Sequence, residues 1–243
     1  MPPNTTGVAG QVVAEGDGCL IVRFGSAIDL AVNRRVQAFA TRLMAAGVEG
    51  VLDVVPAFTT VAVHYRPAAF EAPADGMPFD ALRVRIEALL AAVADEAPSP
   101  PRSVEIPVCY GGEHGPDLDA VAAACGCTPA EAIKRHGASP HVVGMLGFAP
   151  GFAYIAGLDE RLAVPRRATP RTRIPVGSVA IAGSQSAVYP LETPGGWNLI
   201  GRTPLAMFDI ARDPPCLLQP GDEVHFVPIT PETYAALSAT VPP

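Results

Sequence analysis

Proline is distributed too unevenly for one architecture to run the length of this chain. Residues 1–96 hold 6 of the 27 prolines and residues 97–243 hold the other 21. A proline inside a helix removes an amide donor and clashes with the preceding turn, so the second part has little room for long helices. The density changes at Ala97-Pro98-Ser99-Pro100-Pro101-Arg102, which reads as a stiff extended linker. Two domains follow, residues 1–97 and 98–243, a division that 243 residues readily support.

Before the linker, apolar residues recur at helical spacing twice. Val32, Val36, Phe39, Ala40 and Leu43 form one stripe; Phe79, Leu82, Ile86, Leu89, Leu90 and Val93 form another, with Pro78 suited to its first turn. Between them, Val51–Val55 and Thr59–Tyr65 read as strands, the second alternating with Val61, Val63 and Tyr65 on one face. Adding Cys19–Phe24 gives the order β-α-β-β-α, which predicts a two-layer, ferredoxin-like α+β domain.

After the linker, one short helix is expected from about Asp117 to Cys125. A second opens at Thr128-Pro129-Ala130-Glu131, a capping box with proline in its first position. The remaining apolar runs are short and separated by Pro and Gly: 141–148, 174–182, 197–201, 205–210 and 223–229. Gln219-Pro220-Gly221-Asp222 suits a type II turn. Many short strands joined by turns predict a closed or nearly closed β-barrel.

Composition narrows the function. With 49% apolar and 17% charged residues the chain can bury a sizeable core, and no apolar run approaches the ~18 residues of a membrane span. The first thirty residues lack the pattern of a signal peptide. Five cysteines (Cys19, Cys109, Cys125, Cys127 and Cys216) are irregularly spaced, which suits small buried residues in a reducing cytoplasm better than disulfides. None is spaced for a zinc site, so no metal is expected. Of 17 cationic residues only Lys134 is lysine, and Arg135 follows it, which rules out a P-loop.

The arginines are unevenly placed. Residues 161–212 carry seven arginines against Glu192 and Asp209, while the rest of the chain is net acidic at −12. An acidic surround disfavours nucleic acid, which needs a broad positive surface, and favours a small anionic or amide substrate. Arginine presents a rigid planar fork that matches a carboxylate. Arg166, Arg167, Arg171 and Arg202 are therefore the candidate anion contacts, about half of the basic segment being expected to pair within the fold. Gly183-Ser184-Gln185 follows an apolar run; its glycine allows close approach of backbone to ligand, and Gln185 can both donate and accept. His136 is the candidate for proton transfer. Phe148, in a Gly- and Phe-rich stretch, and Trp197, the only tryptophan, complete the candidate lining.

His136, 143–154 (Val-Gly-Met-Leu-Gly-Phe-Ala-Pro-Gly-Phe-Ala-Tyr), Gly157-Leu158-Asp159, 165–173, 177–183, Gln185, Tyr189-Pro190, Pro194-Gly195-Gly196-Trp197 and 199–204 occur in an order that resembles the family of 5-oxoprolinase B subunits. That family is also called KipI-like, allophanate hydrolase subunit 1, or C/D-type carboxyltransferase. The resemblance implies a cyclophilin-like barrel after the N-terminal α/β domain. It implies two partners, a larger C subunit and a third, the A subunit. Together the three open 5-oxoproline to glutamate at the expense of ATP, bound in a site shared with the partner. Alternatives within the family are inhibition of a sensor histidine kinase and carboxyl transfer from biotin to urea-like amides. Ala153, Ser184 and Thr193 stand where the family pattern has proline, glycine and serine; Ser184 leaves substrate identity open.

Overall fold

A computed structural model describes residues 10–93 and 100–239; Ala97, Pro98 and Ser99 of the linker and the side chain of Val93 lie outside the described residues. The chain divides into two compact units, Met1–Pro100 and Pro101–Pro243.

In the first unit a four-stranded antiparallel sheet carries two helices. The elements are β1 (Gln11–Ala14), β2 (Cys19–Arg23), α1 (Leu30–Ala46), β3 (Val51–Pro56), β4 (Thr60–Tyr65) and α2 (Pro78–Val93), with strand order β1-β2-β4-β3. Both helical stripes face the sheet: Val36, Phe39, Ala40 and Leu43 meet Leu82, Ile86, Val61 and Val63 in one core. The helix ends follow local chemistry, since Asp29 accepts from the Val32 amide at the start of α1 and Gly47 closes it in the left-handed region. Asn33 also lies on the buried stripe, where its Nδ2 donates to the carbonyls of Ala57 and Phe58, both at 3.2 Å. Strand β1 is additional to the expected order.

The second unit is a closed barrel of seven strands in the order β10-β7-β6-β13-β5-β12-β9. These are β5 (Ser103–Tyr110), β6 (His141–Leu146), β7 (Ala153–Ala156), β9 (Ser178–Ala182), β10 (Gln185–Val188), β12 (Asn198–Arg202) and β13 (Glu223–Ile229). All neighbours are antiparallel except β5 and β13, which pair in parallel from Ser103↔Glu223 to Cys109↔Ile229. At that closure Arg102 donates to both carboxylate oxygens of the buried Asp222, which also accepts from the Gln219 amide at 2.6 Å. The turn before β13 has Gly221 at φ 90°, as its sequence demands. Helices α3 (Leu118–Ala124) and α4 (Pro129–Ala138) pack on β12 and β13, and α5 (Pro231–Ser238) follows.

Two expected runs resolve differently. The run 174–182 is not one strand: Gly177 at φ 79° separates β8 (Arg171–Ile174) from β9, and β8 leaves the barrel to pair with β11 (Thr193–Gly195). Residues 205–210 form no strand, only an isolated bridge between Phe208 and Cys216. Of the five cysteines, all free, only Cys109 is buried; the others are half-buried, Cys125 and Cys127 against the barrel core. Among the described residues no helix is long and apolar enough to cross a membrane, and no group of three or more His, Cys, Asp or Glu is placed to hold a metal ion.

Candidate functional site

Alternation along the barrel strands builds two unlike surfaces, because successive side chains of a strand face opposite ways. Val179, Ile181 and Val188 fill the barrel interior, while Ala180, Ala182 and Ala187 face outward. The alanines leave room for an aromatic layer on the outer face. Phe152 lies at its centre, in edge contact with Phe148 (5.1 Å), Tyr154 (4.9 Å), Tyr189 (5.2 Å) and Trp197 (6.3 Å). Arg166 places its guanidinium 5.7 Å from the centre of the Trp197 ring. Burial pushes the Tyr189 hydroxyl up to about 12, with the nearby charge of Arg166 pulling the other way. Gly195 makes the layer possible, since a Cβ there would stand 2.5 Å from the Tyr189 hydroxyl and 2.6 Å from Ile174 Cδ1.

The four candidate arginines separate into three situations. Arg167 Nη1 and both amino groups of Arg171 donate to Asp117, each at 2.8 Å. Asp117 is 5% exposed, and it also accepts from the Leu199 amide at 2.7 Å. Burial alone would raise its pKa, but the hydrogen bonds from Arg171 and Leu199 and the charges of Arg171 and Arg167 bring it below the ordinary carboxylate value. Arg202 donates to the Val176 carbonyl at 2.7 Å, holding the turn before β9. Only Arg166 has no carboxylate partner and no hydrogen bond among the described residues; its guanidinium stands over the Trp197 ring and its charge reaches the Tyr189 hydroxyl. The rest of the basic segment is likewise engaged: Arg161 with Asp159, Arg173 with Glu192, and Arg212 with carbonyls of residues 206, 207, 214 and 215.

The loop that carries Arg166 is latched at three points. Asp117 binds Arg167 and Arg171, the Arg167 amide donates to the Gly196 carbonyl at 2.7 Å, and Asn198 Nδ2 donates to the Pro165 carbonyl at 2.9 Å. Pro165 and Pro170 stiffen the same stretch, so Arg166 projects from a fixed backbone. Between this loop and α3 lies an open groove of about 450 Å³. A second cleft, of about 500 Å³, separates α4 from residues 159–161, where the ion pairs Arg135–Glu131 and Arg161–Asp159 satisfy most of its charges.

The two candidates for chemistry stand on opposite sides of the barrel wall. Gln185 begins β10 on the outward parity shared with Ala187; it is half-buried, and its side-chain amide makes no hydrogen bond among the described residues. Ser186 points inward and meets His136, whose Nε2 lies 3.1 Å from the serine hydroxyl and whose Nδ1 lies 2.8 Å from the Tyr110 hydroxyl. His136 is 0% exposed, packs on Phe226 and His141, and is held neutral, its pKa well below the usual value because of burial and then the His141 charge. A neutral ring with both nitrogens occupied, closed off from water, is a core histidine. Gly183, at φ 56°, forms the hairpin with exposed Ser184, and its amide is already spent on the Val164 carbonyl at 2.6 Å. Phe148 is the one non-glycine among the described residues in the left-handed region, at φ 71°, and the residue is 64% exposed.

The structure thus brings Arg166, Trp197 and Phe148 together on one aromatic face, with Gln185 on the same side of the barrel wall. Arg167 and Arg171 belong to the latch, Arg202 to a turn, and His136 to the interior. Asp117 is the residue that sequence pattern does not single out. An aspartate before a short helix looks like a cap, yet its side chain caps nothing in α3. The available signal is a single acid, Asp117, to be matched with an unusually arginine-rich segment.

The architecture is a two-layer α+β unit followed by a closed seven-stranded barrel with an aromatic cluster on its outer face. The chain belongs to the family described as carboxyltransferase domain, subdomain C and D, whose model matches residues 11–218. Among individual relatives, the B subunit of 5-oxoprolinase from Bacillus subtilis is 44% identical over 229 residues, covering 93% of this chain and 95% of that protein. The protein of the same name in Escherichia coli O157:H7 is 41% identical over 213 residues, covering 88% and 93%. Of solved structures, TTHA0988 superposes with a TM-score of 0.73 at 36% identity over 87% of this chain, which spans only 40% of that one. Urea amidolyase of Kluyveromyces lactis, at 20% identity and a TM-score of 0.73, covers 97% of this chain and 16% of its own, and shares the fold.

Proposed function

We propose that this chain is the B subunit of a 5-oxoprolinase, acting with the larger C subunit and the A subunit to open 5-oxoproline to glutamate with consumption of ATP. One observation carries the reading: relatives bearing that name match at 41–44% identity over nearly their whole length. The site supports it chemically. 5-Oxoproline is a small ring with one carboxylate and one lactam amide. Arg166 is the cation left to receive the carboxylate, and Gln185 has the donor and acceptor to meet the lactam. Phe148 offers an exposed ring, Trp197 lies buried in the same aromatic layer, and Ser184 is exposed in the hairpin just before Gln185. The residues present do not form a P-loop, since Lys134 stands on α4 before Arg135, so on this reading ATP binds in a site of another type or one shared with the partner, and activity requires the complex. Biotin enters only under the second reading, carboxyl transfer to a urea-like amide, which the family description favours.

Several finer assignments accompany this reading. The strand order β1-β2-β4-β3 suits a ferredoxin-like layout whose outer strand comes from the N-terminal side, and the barrel is of cyclophilin-like type. The domain boundary falls at residues 97–98, and the protein works in the cytoplasm. The test is co-expression with the neighbouring subunits and an assay of ATP hydrolysis dependent on 5-oxoproline. Activity that needs all three chains and drops at least tenfold in Arg166→Ala and Gln185→Ala supports the proposal. Activity unchanged in both variants, or hydrolysis that responds to urea and bicarbonate instead, overturns it.

A further inference from the structure

We infer that the groove between α3 and the 165–169 loop binds a short, unbranched monocarboxylate; it shares Arg166 with the aromatic face, so on the reading above its ligand competes with the 5-oxoproline carboxylate for that guanidinium. Its volume, about 450 Å³, lies in the range of pockets that hold small organic ligands. The floor comes from α3: Ala120 and Ala124 sit one turn apart on the same helix face, with Val121 beside them. Those side chains are apolar and small, so a slim hydrocarbon body can lie against them without displacing anything.

The rim supplies the polar end. Arg166 and Arg167 both line the groove. Arg167 commits Nη1 to Asp117, whereas Arg166 has no carboxylate partner among the described residues. Asn198 spends its Nδ2 on the Pro165 carbonyl at 2.9 Å, which fixes the wall. The arginine–aspartate latch as a whole is one carboxylate against two guanidiniums, so the rim keeps a net positive charge. One uncommitted planar fork matches one carboxylate. A dianionic phosphate would call for a second uncommitted cation, which the rim lacks. An apolar floor ending at a single open guanidinium is the complement of a fatty-acid-type anion of a few carbons.

Trp197 makes the site directly measurable, because it is the only tryptophan and the Arg166 guanidinium rests on its ring. The full-length chain is titrated with acetate, butyrate, hexanoate and inorganic phosphate, with binding read by saturation-transfer NMR and by Trp197 emission. Half-burial of each methylene gives about a twofold gain per carbon, so hexanoate should bind about fifteenfold tighter than acetate. Arg166→Ala should weaken every carboxylate at least fivefold. Ala124→Leu fills the floor from an exposed helix position and should flatten the chain-length series while leaving acetate unchanged; Ala120→Leu is the second plug should the first fail to fold. Affinities that do not rise from acetate to hexanoate overturn the proposal. So does a series that survives both plugs, or phosphate binding as tightly as hexanoate.

Discussion

Replacing Asp117 with alanine should cost the barrel unit about 3 kcal/mol. The carboxylate accepts three hydrogen bonds from Arg167 and Arg171 and a fourth from the Leu199 amide. Removing one side of a buried ion pair costs about 3–5 kcal/mol when the remaining charge stays dry. The surviving guanidiniums are 36% and 24% exposed, so water recovers part of that. The Leu199 amide is buried and adds about 1–3 kcal/mol if left without a partner. That recovery brings the expected loss below the combined range, to about 3 kcal/mol, equivalent to a fall of about 6–12 °C in melting temperature. Urea denaturation followed by Trp197 emission measures it, since the single tryptophan belongs to the barrel unit. The acid dependence is a further constraint. Because the folded carboxyl titrates below its unfolded value of roughly 3.9, its stabilisation is complete above that value and disappears as pH falls through the folded pKa. Wild type and variant should therefore differ fully at pH 7 and draw together as the pH is taken below that unfolded value. A loss under about 1 kcal/mol at pH 7, or a difference that stays constant with pH, refutes the latch.

Other consequences are as measurable. Burial lowers the pKa of His141 to about 4 and that of His136 well below normal, so neutral rings stabilise the fold fully above the unfolded value of about 6.5, and protonation erodes it below. Stability should fall between pH 6.5 and 4 by up to about 1.4 kcal/mol per pH unit for each histidine, and His141→Gln should roughly halve that slope in urea titrations. Gly195→Ala forces a methyl against the Tyr189 hydroxyl and should lower stability by about 1–3 kcal/mol, visible as an earlier melting transition. Phe148→Gly relieves a left-handed φ worth about 1–2 kcal/mol while giving up one aromatic contact and raising unfolded-state entropy, so its net effect on melting should stay within about 1 kcal/mol.

Local rules make the first unit largely legible. The stripes of α1 and α2 are readable because one helix face is buried, and Asn33 escapes notice because a polar residue on that face must find distant carbonyls to be tolerated. Strand β1 escapes too: four residues of edge strand carry little pattern of their own. In the second unit strand periodicity fails at 174–182, where the apolar run continues through a turn marked by Pro175 and Gly177. The arginines show the deeper limit. Sequence places a positive segment correctly but cannot say which guanidinium stays uncommitted, because Asp117 lies 50 residues from Arg167 and 54 from Arg171. His136 draws attention as a histidine near a glycine-rich stretch; the neighbours that neutralise that reading, Tyr110 and Ser186, come from strands on either side of it in sequence.

The parallel seam between β5 and β13 sets a timetable for synthesis. Strand β5 leaves the ribosome first among the barrel strands, yet its partner follows only 120 residues later, as the Arg102–Asp222 pair records. At roughly 5–20 residues per second that is a wait of about 6–24 s, during which Ile106 and Val108 have no closed interior to enter. Every nascent chain thus passes through a stage with an open sheet edge, the kind of edge that invites pairing with another chain. Premature termination before residue 229 would make that stage permanent, turning a closed barrel into a nucleus for aggregation.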